Sequence, residues 1–174
     1  MKTRTLFGGI AIGLLAVAAA VAPARAWEPK KPINIVVGFA PGGGTDIIAR
    51  TVTSAAQEFF PVPLVIVNRA GASGTIAAEY VRNAPPDGYT LLVAGGSEST
   101  SVGNHQKLPY DIRTDFTAII QFNRQRTLLA VKGDAPYKTL KEFVTEVKAN
   151  PGKYTYGSSG AGSLYHSALL VFST

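Results

Sequence analysis

Residues 38–46 read Gly-Phe-Ala-Pro-Gly-Gly-Gly-Thr-Asp, between an apolar run at Ile33–Val37 and a stretch of helical periodicity that starts near Thr45. Without Cβ atoms, Gly42, Gly43 and Gly44 can take positive φ and turn backbone N–H groups toward one point, where the positive end of the following helix dipole also acts. The chemistry this suits is capture of a small oxyanion by main chain alone. A phosphate loop is excluded, because Thr45-Asp46 follows the last glycine where a Lys-Ser/Thr pair is required. The dinucleotide fingerprint is excluded too, since its third glycine is missing and Asp46 would repel a pyrophosphate. Asp46 cannot welcome an anion. It is expected to cap the helix, with holding the loop amides or accepting from a ligand hydroxyl or ammonium group as alternatives. In isolation the loop reads equally well as an ordinary glycine turn.

Two later loops have related chemistry. Gly157-Ser-Ser-Gly160-Ala-Gly162-Ser163 is a second anion loop of the same kind, and Gly95-Gly-Ser97-Glu-Ser99-Thr-Ser101 is rich in hydroxyls. The latter raises a competing class, a serine hydrolase. Gly95-Gly-Ser97-Glu-Ser99 falls one residue short of a nucleophile elbow, with serine where the final glycine belongs, and His166 could act as the base. The chain has 2 histidines and no cysteine, so no metal-ligand cluster is expected.

The elements that must position these loops alternate as a parallel α/β layout demands. Ile33–Val37 is a strand. Thr45–Phe60 is a helix whose Ile48, Val52, Ala55 and Phe59 share a face, closed by Pro61 and Pro63. Leu64–Asn68 is the next strand, and Ala70-Gly-Ala-Ser-Gly74 turns into a helix through Val81. After the turn Pro85-Pro-Asp-Gly88, Tyr89–Ala94 is a third strand. All three strands deliver glycine or hydroxyl loops at their carboxyl ends, the edge where ligands bind in open α/β sheets. Further on, Phe116–Phe122 and Thr127–Val131 read as strands joined without a helix, and Gly133-Asp-Ala-Pro136 breaks the chain. A helix over about Thr139–Ala149, a short strand Lys153–Tyr156 and the second anion loop follow, opening a helix with Leu164, Ala168, Val171 and Phe172 on its apolar face.

The first 26 residues read as a secretory signal peptide: Lys2 and Arg4, an uncharged apolar run Leu6–Ala22, then Ala24-Arg25-Ala26 as a cleavage site. Cleavage after Ala26 would leave 148 of the 174 residues, enough for one ordinary domain and short for two. It would also remove Lys2, Arg4 and Arg25 from the 17 basic residues, leaving 14 against 11 acidic ones. So small an excess, scattered apart from Arg124-Gln-Arg126, argues against nucleic acid as a partner. The expected organisation is a signal peptide at 1–26, a first α/β lobe at 27–132 and an incomplete second α/β lobe at 133–174.

Five motifs in order carry a resemblance: Phe39-Ala-Pro-Gly-Gly-Gly-Thr-Asp46-Ile-Ile-Ala-Arg50, Val67-Asn-Arg-Ala-Gly71, Pro86-Asp-Gly-Tyr-Thr-Leu-Leu92, Leu108-Pro-Tyr-Asp111 with Asp115-Phe116, and Asn150-Pro-Gly-Lys-Tyr-Thr-Tyr-Gly-Ser-Ser-Gly160. The chain resembles the Bug family, the TctC-like periplasmic solute-binding proteins of tripartite tricarboxylate transporters. The resemblance implies a type II periplasmic-binding-protein fold with the first lobe nearly complete and the second truncated, since family members are about twice this mature length. It implies no enzyme activity and no cofactor. The expected function is capture of a small carboxylic acid for membrane permease subunits by a monomeric, exported, periplasmic protein. A non-functional truncated fragment of such a receptor is the alternative. Carried over as ligand-binding residues are Phe39, Gly42, Gly43, Gly44, Thr45 and Asp46 from the first glycine loop, and Ser158, Gly160 and Ser163 from the second. Ser97 of the hydroxyl-rich loop joins them as a candidate. No metal ligand is expected.

Overall fold

The computed structural model describes residues 27–98, 102–124 and 126–173; the proposed signal peptide lies outside them. Three parallel strands, β1 (Ile33–Val37), β2 (Leu64–Asn68) and β3 (Thr90–Val93), form one sheet in the order β2-β1-β3. In register, Ile33 stands opposite Leu64, and Asn34 opposite Thr90. Strand β1 has neighbours on both edges and helices on both faces, which accounts for its apolar composition: Ile33, Ile35, Val36 and Val37 are all buried.

Helix α1 (Gly44–Ala56) connects β1 to β2, and α2 (Thr75–Arg82) connects β2 to β3 across β1. Right-handed crossovers running in opposite directions place the two helices on opposite faces of the sheet. Ala49 of α1 and Ala77 and Ala78 of α2 are fully buried, their small side chains allowing close approach to the sheet. The α1 segment ends earlier than its periodicity suggests. The chain tightens into a 3₁₀ turn at Gln57–Phe59, which swings Phe59 off the apolar face and leaves it 78% exposed.

Beyond β3 the layout departs from expectation. Residues 116–122 and 127–131 form no strand, because among the described residues no neighbouring strand offers hydrogen bonds to them. Ile119, Ile120 and Leu128 consequently stand exposed at 75%, 73% and 83%. Residues 153–156 form no strand either. Helix α3 (Leu140–Ala149) forms where expected, capped by the Thr139 hydroxyl, which accepts from the Glu142 N–H at 3.3 Å, while Glu142 Oε2 accepts from the Lys138 N–H at 2.7 Å. Helix α4 (Leu164–Ser173) follows the second glycine loop. No helix among the described residues is long and apolar enough to cross a membrane.

Candidate functional site

The carboxyl ends of the strands carry the site. A cavity of about 440 Å³ lies among Gly38–Ala40 after β1, Ala70–Gly74 after β2, Gln106, and Ser159–Ala161 before α4. Of the residues singled out from sequence, Phe39 and Gly160 line it. The first glycine loop continues from the Phe39 wall toward solvent, with Gly42 and Gly44 exposed at its tip.

The backbone of that loop differs from expectation in one respect. Gly42 alone of the three glycines takes positive φ, at 81°; Gly43 is extended at φ −71°, and Gly44 begins α1. The loop is fixed by Asp46, which is 1% exposed. Its Oδ2 accepts from the Gly42 N–H at 2.8 Å and from Arg50 Nε at 2.9 Å, and its Oδ1 accepts from Asn68 Nδ2 at 2.8 Å. Asn68 also donates to the Phe39 carbonyl at 3.0 Å and accepts from Arg50 Nη2 at 3.0 Å. The Arg50 side-chain bond above all, with those from Asn68 and Gly42, holds the Asp46 carboxyl far below the usual carboxylate range. Asp46 therefore holds the loop rather than capping its helix: among the described residues no side chain caps α1. The first-turn N–H groups of Gly44, Thr45 and Asp46 accordingly keep their donor capacity, at the positive end of α1.

The second glycine loop is organised oppositely. Ser163 and Ser97, both buried, are committed to the start of α4: Ser163 Oγ accepts from the His166 N–H and Ser97 Oγ from the Leu164 N–H, each at 3.2 Å. His166 Nδ1 accepts in turn from the Gly162 N–H at 3.2 Å. Ser158 is exposed, and its hydroxyl accepts from the Gly160 N–H at 3.3 Å. The helix dipole at α4 is thus met by the protein's own hydroxyls, whereas that of α1 faces outward. A Ser97 nucleophile is not what this arrangement provides, since the hydroxyl is 3% exposed and spent on a helix cap. Among the described residues there is no cluster of three potential metal ligands.

Three features were not anticipated. Asn68 ties β2 to the first loop, as above. Ser73 is buried with φ 54° and ψ 33°, a left-handed conformation that favours glycine, and its hydroxyl donates to the Ala161 carbonyl at 3.1 Å. Glu98 is 1% exposed; its Oε1 accepts from the Gly95 N–H at 2.6 Å, and Oε2 has no hydrogen-bond partner among the described residues. Burial pushes its carboxyl above the ordinary value of 4.5. Glu98 lies against Gly74, where a Cβ would come within 3.1 Å of its carboxyl group. An Asn closing an apolar strand was the available signal for Asn68; for Ser73 and Glu98 the burial that matters arises only in the folded chain.

With the geometry in place, comparison with known proteins decides the family. Residues 48–173 match the family described as the tripartite tricarboxylate transporter family receptor, TctC. The chain belongs to this family. A UPF0065 protein of Bordetella pertussis is 38% identical over 168 residues, covering 95% of this chain and 51% of the relative. Protein BugT of the same organism is 31% identical over 155 residues, covering 87% and 48%. Among solved structures, one described as a periplasmic transporter is similar at 39% identity and a TM-score of 0.69, covering 84% of this chain and 51% of its own. MatC from Rhodopseudomonas palustris with bound malate superposes with a TM-score of 0.72 at 34% identity, covering 82% and 49%. R. palustris Rpa4515 with adipate gives 0.69 at 35%, covering 78% and 46%. This TctC-family chain thus has the α/β fold of the periplasmic binding proteins, and its family is one of solute receptors rather than enzymes. It spans about half the length of the curated relatives it matches.

Proposed function

We propose that the chain belongs to an extracytoplasmic receptor that captures a small carboxylic acid for the permease subunits of a tripartite transporter. The observation that carries this reading is the first glycine loop, braced by Asp46 from behind, with the amides of Gly44, Thr45 and Asp46 uncapped at a helix N-terminus beside the cavity. An anion there meets donors that have no hydrogen-bond partner among the described residues, and the brace means that little ordering is required on binding. Malate and adipate bound to the two structural relatives support a small di-acid as the ligand class.

On this reading residues 1–26 direct export and are removed after Ala26, residues 27–132 form a first lobe, and residues 133–174 belong to a second whose loop at 159–161 closes the far side of the cavity. The receptor works in the periplasm as a monomer. The test is calorimetric titration with malate, adipate, a tricarboxylate and the diamide of adipic acid. Carboxylates should bind and the uncharged diamide should not. Equal binding of acid and diamide would overturn the anion site.

A further inference from the structure

We propose that Ser73 is a positioning residue, a hydroxyl latch that ties the loop after β2 to the loop before α4 and so sets how far the cavity opens. Gly71, Ala72, Ser73 and Gly74 all have positive φ, at 138°, 46°, 54° and 94°. Glycine adopts such angles freely, whereas a side chain there is strained. Ala72 and Ser73 both bear side chains in this strained stretch, and Ser73 differs in having a hydroxyl that bonds across the cavity. Ser73 Oγ donates to the Ala161 carbonyl at 3.1 Å, with the Ser159 carbonyl at 3.5 Å beside it. The approach is close: a Cβ on Gly160 would fall 2.8 Å from Ser73 Oγ, and Gly160 has φ 119°. Both sides of this contact are cavity walls.

The latch is separable from the attachment of α4. Helix α4 is held by Ser97 Oγ on the Leu164 N–H and by Ser167 Oγ against His105 Nε2 at 2.9 Å. Neither bond involves residues 159–161. Losing the Ser73 hydroxyl should therefore release the rim of the cavity and leave the helix in place. On the receptor reading above, a looser rim shortens the residence time of the ligand, because a closed cleft is left by opening it.

The experiment is amide hydrogen exchange on the whole chain, without ligand, for the wild type, Ser73→Ala and Ser73→Gly. Loss of one neutral hydrogen bond predicts about two- to tenfold faster exchange of the Gly162 and Ser163 amides in both variants. The Ser167 amide in α4 should be unchanged. Ser73→Gly also relieves the left-handed strain, so it should melt at a higher temperature than Ser73→Ala while its rim exchanges just as fast. A merely structural serine would instead make rim exchange follow the melting temperature. Unchanged exchange at Gly162 and Ser163 in both variants overturns the latch. A second arm uses malate as the probe, with faster dissociation from the variants expected. Faster rim exchange with no binding of malate, adipate or a tricarboxylate even by the wild type upholds the latch and overturns the receptor reading. Malate binding by the wild type with unchanged exchange in the variants does the reverse.

Discussion

The Phe39 ring forms a wall of the cavity and rests against Gly95, so adding one methyl group at position 95 tests whether that packing shapes the site. In Gly95→Ala the new Cβ would lie 2.9 Å from Phe39 Cζ, closer still to Cε2, and 3.1 Å from Thr45 Oγ1. The ring must move. Gly95 is not a positive-φ position, so the substitution adds no backbone strain and its effect is purely steric. Overpacking of this kind costs about 1–3 kcal/mol. The ring has the cavity itself to move into, which would lower ligand affinity as well as stability. Trimming the ring with Phe39→Leu in the Gly95→Ala background should recover much of the loss. Denaturant unfolding of the four proteins in a double-mutant cycle should give a coupling of about 1–2 kcal/mol, of the size seen for residues in contact. Gly42→Ala serves as a control: at φ 81° with open space around it, it should cost about 1–2 kcal/mol through strain alone. That cost should not depend on Phe39. Additivity of Gly95→Ala and Phe39→Leu to within about 0.5 kcal/mol would refute the packing argument.

The three groups that face Asp46 are all donors, so Asp46→Asn must turn its own NH₂ against one of them; it should melt below the wild type, and an equal melting temperature would show that the brace is dispensable. Because the folded Asp46 carboxyl titrates below its ordinary 3.8, the stabilisation it supplies is present above that value and is lost as the pH falls through the folded pKa. The Asp46→Asn deficit should therefore be constant at neutral pH and shrink as the pH falls below the ordinary 3.8, as urea titrations from pH 2 to 7 would record. Glu98 behaves oppositely: its folded pKa is raised, so stability is complete below about 4.5 and is lost as the pH rises through the folded value. Glu98→Gln should gain on the wild type as the pH rises from 4 to 8; a pH-independent difference would place Glu98 in a wetter setting than its burial indicates. Ser97→Ala and Ser163→Ala should each cost about 0.5–2 kcal/mol through loss of an α4 cap, measured by thermal unfolding. Serine-directed probes should leave Ser97 unlabelled.

The elements legible in the sequence are those set by local pattern. Strand β1 declares itself by an apolar run, α2 and α3 by period and turn residues, and the site edge by glycine loops after successive strands. Misreadings occur where the outcome depends on distant chain. Residues 116–122 and 127–131 have strand composition, yet a strand exists only with a partner, and none of the described residues pairs with them. At the site, the glycines located the first loop, but that Asp46 braces it depends on Asn68, which β-sheet pairing brings alongside. The serines of the second glycine loop and of the loop after β3 looked like ligand groups because exposure cannot be read from a residue type. Ser97 and Ser163 are buried caps, whereas Ser73, not singled out within its glycine turn, reaches across the cavity.

Ser97 caps a helix that starts 67 residues further along the chain. Ser163 can cap the His166 N–H locally, but the Leu164 N–H lacks its acceptor until β3 has joined the sheet and presented the loop that follows it. The order of docking is thereby constrained: the start of α4 settles on the sheet only after β3 is in place. Pulse-labelled exchange during refolding should find the Leu164 amide protected after those of β1 and β3, and earlier protection would contradict the sequence of events. The loop at 159–161 that completes the cavity therefore has nothing to dock on until the sheet is formed, and the cavity is the last feature of this fold to close.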